Sequence, residues 1–167
     1  QIRQQEGHKS GVASTQDALG VLSFLRGDDS NAKRLWEEGL ALTEETGATA
    51  VRIKILGHLG ELYLLQGQLP EAEAQLQLAR SLAQELGDRR LTAEVARILG
   101  QLRLRMEDQP GALALCEEAL AQAREAGVPV TLGRTLLALG EVHGATLFDG
   151  NASSSSESNP GDDVVMT

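Results

Sequence analysis

Written in rows of forty, the sequence falls into columns, and this period constrains the fold more than any other feature. Leu19-Gly20, Leu59-Gly60, Leu99-Gly100 and Leu139-Gly140 share one register. Gly7, Gly47, Gly87 and Gly127 share a second, and Ala32, Ala72 and Ala112 a third. Gly39, Ala79 and Ala119 form a column of small residues, and Trp36, Leu76 and Cys116 a column of bulky apolar ones. A fixed period between about 20 and 50 residues is the signature of a repeat architecture, in which each unit buries its apolar face only against its neighbours.

Each unit reads as two helices. Apolar residues recur at spacings of three and four, as in Ile55, Leu59, Leu62 and Leu65. The first helices are predicted at about 14–26, 51–66, 91–106 and 131–145. The breaks Gly27-Asp28-Asp29-Ser30, Gly67-Gln68-Leu69-Pro70 and Glu107-Asp108-Gln109-Pro110 follow the first three. Ser30 is the expected N-cap of the next helix, and Pro70 and Pro110 suit a first helical turn. The second helices run to about residues 46, 86 and 126, where Gly47, Gly87 and Gly127 are expected as left-handed C-terminal caps. Short loops then make the paired helices antiparallel. A glycine within a helix costs roughly 1 kcal/mol relative to alanine. Its recurrence in the middle of every first helix is expected to be offset by close approach of the partner helix, with Ala32, Ala72 and Ala112 opposite.

Aromatic residues are only 2% of the chain, so the core must be built from Leu and Ala, a composition that favours packed helices over a sheet. A net charge of −9 argues against a nucleic-acid partner, which calls for a basic stripe. The single cysteine, Cys116, cannot form an internal disulfide and is expected as a buried apolar residue of the bulky column. No apolar run reaches the ~18 residues of a membrane span, so no membrane association is expected. His8, His58 and His143 show no metal-ligand spacing, and no cofactor is expected. His58 is expected to be solvated near the binding face, and His143 to pack between helices. The pairs Glu37-Glu38, Glu44-Glu45 and Glu117-Glu118 read as solvated helix faces. Nothing sets an acid and a base across a cleft, so the chain is read as non-enzymatic.

The columns resemble the tetratricopeptide repeat. In the second unit they are Leu59-Gly60, Tyr63, Ala72, Leu76 and Ala79, with Leu56 where that family usually has Trp. The first unit has Ser23 and the third Arg103 in the Tyr position. The resemblance runs from about Thr15 to Leu147. It implies an all-α, right-handed superhelix of antiparallel helix pairs, whose first helices line a concave groove for a protein or peptide partner. The period exceeds the usual ~34 residues. The extra residues are expected in the second helix and its following loop. This is similar to the long-repeat variety of large bacterial signalling proteins and motor-cargo adaptors, and the Ala/Leu/Arg/Glu-rich style resembles repeat regions attached to bacterial kinases and regulatory ATPases. A cytoplasmic location goes with that resemblance.

The expected organisation is a repeat array over residues 1–147. It comprises the end of a preceding repeat at 1–10, full repeats at about 11–50, 51–90 and 91–130, and the first helix of a fourth at 131–147. Residues 148–167, with the run Asn-Ala-Ser-Ser-Ser-Ser, read as a disordered tail or linker. The chain begins with Gln1 and is expected to be a section of a longer array. The groove-facing columns give the candidate binding residues Lys54, Glu61, Arg97, Gln101, Arg105, Arg134 and Glu141. The Lys and Asn clamp with which some tetratricopeptide repeats hold a peptide carboxylate is absent: its columns hold Asp17, Val21, Gly57, Glu61, Arg97 and Gln101. Arg97 and Arg134 are the expected contacts for an acidic ligand. Self-association through uncapped ends or faces of the array is the alternative.

Overall fold

The computed structural model describes the backbone of residues 2–154 and the side chains of residues 7–144. Among these residues the chain is entirely helical. The elements are α1 (Ile2–Leu25), α2 (Asp29–Thr46), α3 (Thr49–Leu65), α4 (Leu69–Leu86), α5 (Arg89–Arg105), α6 (Gln109–Ala126) and α7 (Pro129–Ser154). A helix of 17 residues, a three-residue turn, a helix of 18 and a two-residue turn fill each complete period. The period is thus divided almost equally between the two helices.

The turns carry their own chemistry. Gly47, Gly87 and Gly127 end α2, α4 and α6 with φ of 68°, 69° and 65°, the left-handed cap their register implied. A second left-handed column follows the first helix of each pair. Gly27 and Gly67 supply it freely, and Glu107 takes the same conformation at φ 61° against the steric cost of its Cβ. Asp28, not Ser30, caps α2: its carboxylate accepts from the Asn31 N–H at 3.2 Å. Asp88 and Asp108 cap α5 and α6 in the same way, each at 3.0 Å.

Helices α1 and α2, α3 and α4, and α5 and α6 form pairs, and the first helices α1, α3, α5 and α7 stand side by side. The mid-helix glycines set the pair spacing. A Cβ on Gly60 would lie 2.5 Å from Leu76 Cγ, and one on Gly100 would lie 2.7 Å from Cys116 Sγ. A Cβ on Gly20 would run into the Trp36 indole. Gly140 meets nothing within 4 Å, because no second helix faces α7 among the described residues. For the same reason His143 is exposed, not packed between helices as its column suggested.

Three apolar clusters lie along the array. Ala32, Trp36, Ile55, Leu59 and Leu62 form the first. The central one contains Ile53, Leu56, Leu76, Leu99 and Leu102, and the last Ala112, Cys116, Ala138 and Val142. Two expected boundaries change. Helix α1 runs unbroken from Ile2 through Gly7, so residues 2–10 belong to the same helix as the residues that follow. Helix α7 continues past Leu147 to Ser154, so the expected tail at 148–167 is helical in its first part. Its remainder, 155–167, lies outside the described residues.

Candidate functional site

The first helices present one face of the array, and helical periodicity selects what points there. Residues 54, 57, 58 and 61 of α3 fall on one stripe, as do 90, 94, 97 and 101 of α5 and 130, 134, 137 and 141 of α7. Two cavities open on this face. One, of about 350 Å³, touches all four first helices through residues such as Val21, His58, Arg97 and Leu137. The other, of about 310 Å³, lies between α3, α5 and α7.

Between them runs a polar network that joins most of the candidate residues. Arg97 is the hub, only 5% exposed. Its guanidinium donates to Glu94 at 3.0 Å and to Gln101 at 3.1 Å, and it faces Glu61 at 3.6 Å. Arg134 reaches the same Glu94 at 3.1 Å, and Gln101 donates to Glu141 at 3.5 Å. Contacts that cross from α3 to α5 and from α5 to α7 join residues about one period apart, so the network stitches neighbouring repeats together. A charge taken so far out of water must keep its partners. Arg97 is thus engaged by Glu61 and Glu94 while still lining the cleft, so an acidic ligand at Arg97 would compete with these two carboxylates.

Lys54 and Arg105 stand apart from the network. Both are exposed, Lys54 at the mouth of the 310 Å³ cavity and Arg105 at a smaller cleft near Leu64 and Leu104. Lys54 makes no hydrogen bond or ion pair among the described residues.

One cluster was missed by column reading. His58 is partly exposed but held in place: its ring stacks on Trp36 at 5.4 Å between centroids and 24° between planes, and its Nδ1 lies 2.8 Å from Asp17 Oδ1. Trp36 in turn packs at 5.8 Å from Phe24 and donates its indole N–H to the Asp17 carbonyl at 3.3 Å. Asp17, Trp36 and His58 come from α1, α2 and α3, and the signal available in sequence was only that positions 17 and 57 share a column.

Cys116 lies fully buried beneath the network, and burial pushes its thiol up, opposed by nearby Arg97 and reinforced by Glu141. A thiol held in that form is a poor nucleophile. Among the described residues no group of three or more His, Cys, Asp or Glu is placed to hold a metal ion, and no helix is long and apolar enough to cross a membrane.

The geometry is that of a helical solenoid with a cleft-bearing first-helix face, the architecture of tetratricopeptide-repeat proteins. Residues 51–125 match the tetratricopeptide repeat family. Among solved structures, that of BtubC (BKLC) from P. vanneervenii is similar, with a TM-score of 0.68 and 20% sequence identity over 93% of this chain and 69% of that one. At that identity the likeness is one of fold. No curated protein matches the chain significantly. Tetratricopeptide repeats are in general non-catalytic protein-interaction modules, and the matched segment supports that broad class of scaffold for this chain.

Proposed function

We propose that the first-helix face binds a peptide or helix of a protein partner, as part of a longer array of the forty-residue variety in a regulatory region of a cytoplasmic signalling protein. The repeat units would be 11–50, 51–90 and 91–130, with α7 opening a fourth. One observation carries the reading: a cleft of about 350 Å³ touches all four first helices and sets exposed apolar side chains, Leu25 and Leu137, beside the charged network. Leu137 and Leu25 are 73% and 75% exposed and line the same cleft, so they form part of one apolar patch rather than scattered single residues. The network holds the cleft in one shape before any ligand arrives, which lowers the ordering cost of binding.

The test compares proteins captured from a lysate on the wild-type chain and on a Leu137→Asp variant, by quantitative mass spectrometry. Leu137 is preferable to Arg97, because Arg97→Glu would set a third carboxylate against Glu61 and Glu94 and disturb the fold. Partners captured by the wild type and lost from the variant are the expected result. An unchanged set would overturn the groove reading.

Self-association is the second reading, and a specific observation favours it. Leu19 and Leu22 of α1 are 45% and 50% exposed, whereas their register mates Leu59, Leu62, Leu99 and Leu102 are buried beneath a preceding second helix. Capture of the chain alone, with a mass that rises with concentration, would move this reading ahead.

A further inference from the structure

The cavity between α3, α5 and α7 has a composition that the network does not explain. Its floor is aliphatic, from Ile53, Leu91, Val95 and Ile98, with Val130 at its edge, 69% exposed. Its rim carries Lys54, Arg90 and Arg134. The two carboxylates at the cavity, Glu61 and Glu94, are both engaged by Arg97, and Glu94 also holds Arg134. Lys54 has no partner among the described residues, and the nearest carboxylate to Arg90 is Asp88 at 4.0 Å, which is engaged in capping α5. The cations at the rim therefore exceed the carboxylates free to neutralise them, on a chain whose net charge is −9.

Two further features act in the same direction. Most residues of the cavity come from the N-terminal halves of α3, α5 and α7, and Arg90, in the first turn of α5, lies where the positive end of that helix dipole adds to the rim charge. Gly57 opens the floor: a Cβ there would meet only Ile98 Cδ1, at 4.0 Å. The same column holds Arg97 and Leu137 in the next two units, so the missing side chain is particular to this position and leaves a recess.

We propose that this recess is the specificity element of the groove and takes an aliphatic side chain flanked by Asp or Glu from the partner peptide. The proposal rests on the groove reading above and gives it a ligand chemistry. The aliphatic group replaces water over Ile53 and Ile98, while the carboxylates meet Lys54 and Arg90 without having to displace an existing ion pair. A basic peptide would meet the surplus cations directly and be repelled.

The experiment pans a random peptide library displayed on phage against the intact chain. Affinities of the enriched, fluorescein-labelled peptides are then measured for the wild type and three variants. Lys54→Glu with Arg90→Glu reverses the rim, Gly57→Leu fills the recess without changing charge, and Leu137→Asp disrupts the groove elsewhere. Circular dichroism establishes that each is folded. Enriched peptides are expected to join Leu, Ile, Val or Met to Asp or Glu, to bind more weakly as salt rises, and to lose about tenfold or more in affinity in both the rim and the recess variant. Basic or uncharged consensus sequences, or a loss in only one of those two variants, overturn the proposal. If such peptides are lost with Leu137→Asp yet survive the rim and recess changes, the groove reading stands and this site falls. Insensitivity to all three variants, or no enrichment, overturns both.

Discussion

The glycines at positions 60 and 140 occupy the same column, and the structure gives them opposite consequences. In isolation, replacing a mid-helix glycine by alanine gains up to about 1 kcal/mol in helix propensity. At Gly60 the new methyl would sit 2.5 Å from the branch carbon of Leu76, which is fully buried and has no room to retreat. Overpacking of that kind costs about 1–3 kcal/mol, so Gly60→Ala is expected to be destabilising on balance. At Gly140 nothing lies within 4 Å, only the propensity term remains, and Gly140→Ala is expected to stabilise by about 0.5–1 kcal/mol. Urea titrations of both variants followed by circular dichroism check the pair. Equal shifts in the same direction would mean that the register column has one energetic meaning throughout, contrary to the contacts seen here. The sequence supplies the column, but the sign depends on whether Leu76 or open surface stands opposite.

Helices are where sequence and structure agree most closely, because their signals are local. The left-handed caps at Gly47, Gly87 and Gly127, the prolines that open α4 and α6, and the three-and-four spacing of α3 all act within a turn or two of their own position. Cap identity was harder to read, since Asp28, Asp29 and Ser30 all suit an N-cap and the choice turned on the backbone trajectory out of α1. What lies between helices was least legible. Periodicity assigned Glu61, Arg97, Gln101, Arg134 and Glu141 to one face, yet not that Arg97 would sink to 5% exposure and spend its guanidinium on its neighbours. That outcome depends on the lateral offset between α3 and α5, which no local signal encodes. The stack of His58 on Trp36 was hidden for the same reason, as it joins the first two repeats side chain to side chain. The network makes a prediction at this scale. Arg97→Met keeps the length of the buried stem but leaves Glu61 without a cation and Glu94 with Arg134 alone. The expected loss is about 2 kcal/mol, near the middle of the range for stranding a partly buried charge. Adding Glu61→Gln should recover part of it, whereas a purely steric role for Arg97 would give no recovery.

Among the described residues, contacts run only between neighbouring helices, so stability is built up repeat by repeat and need not be uniform. The first cluster is centred on Trp36 and the central one on Leu and Ile side chains, whereas among the described residues the fully buried part of the last is Ala112, Cys116, Ala138 and Val142, with Leu104, Leu113 and Leu139 only partly buried against it. Burial of less apolar area gives less stabilisation, at roughly 25 cal/mol per Å². The last cluster should therefore open first. The chain carries one tryptophan and one cysteine, and they report on opposite ends: Trp36 in α2 and Cys116 in α6. In a urea series at pH 7, labelling of Cys116 by a maleimide is expected at lower urea than the change in Trp36 fluorescence. Coincident midpoints would instead show a single cooperative unit. The pH dependence follows from the raised thiol. The folded state holds that proton more tightly than the unfolded one, so the contribution of Cys116 to stability is intact below its ordinary pKa of about 8.5 and is lost as pH climbs through the raised value. Opening of α6, read by hydrogen exchange so that thiol chemistry does not enter the measurement, should thus require less urea at pH 10 than at pH 7. A Cys116→Ser variant should lack that thiol-linked part of the shift.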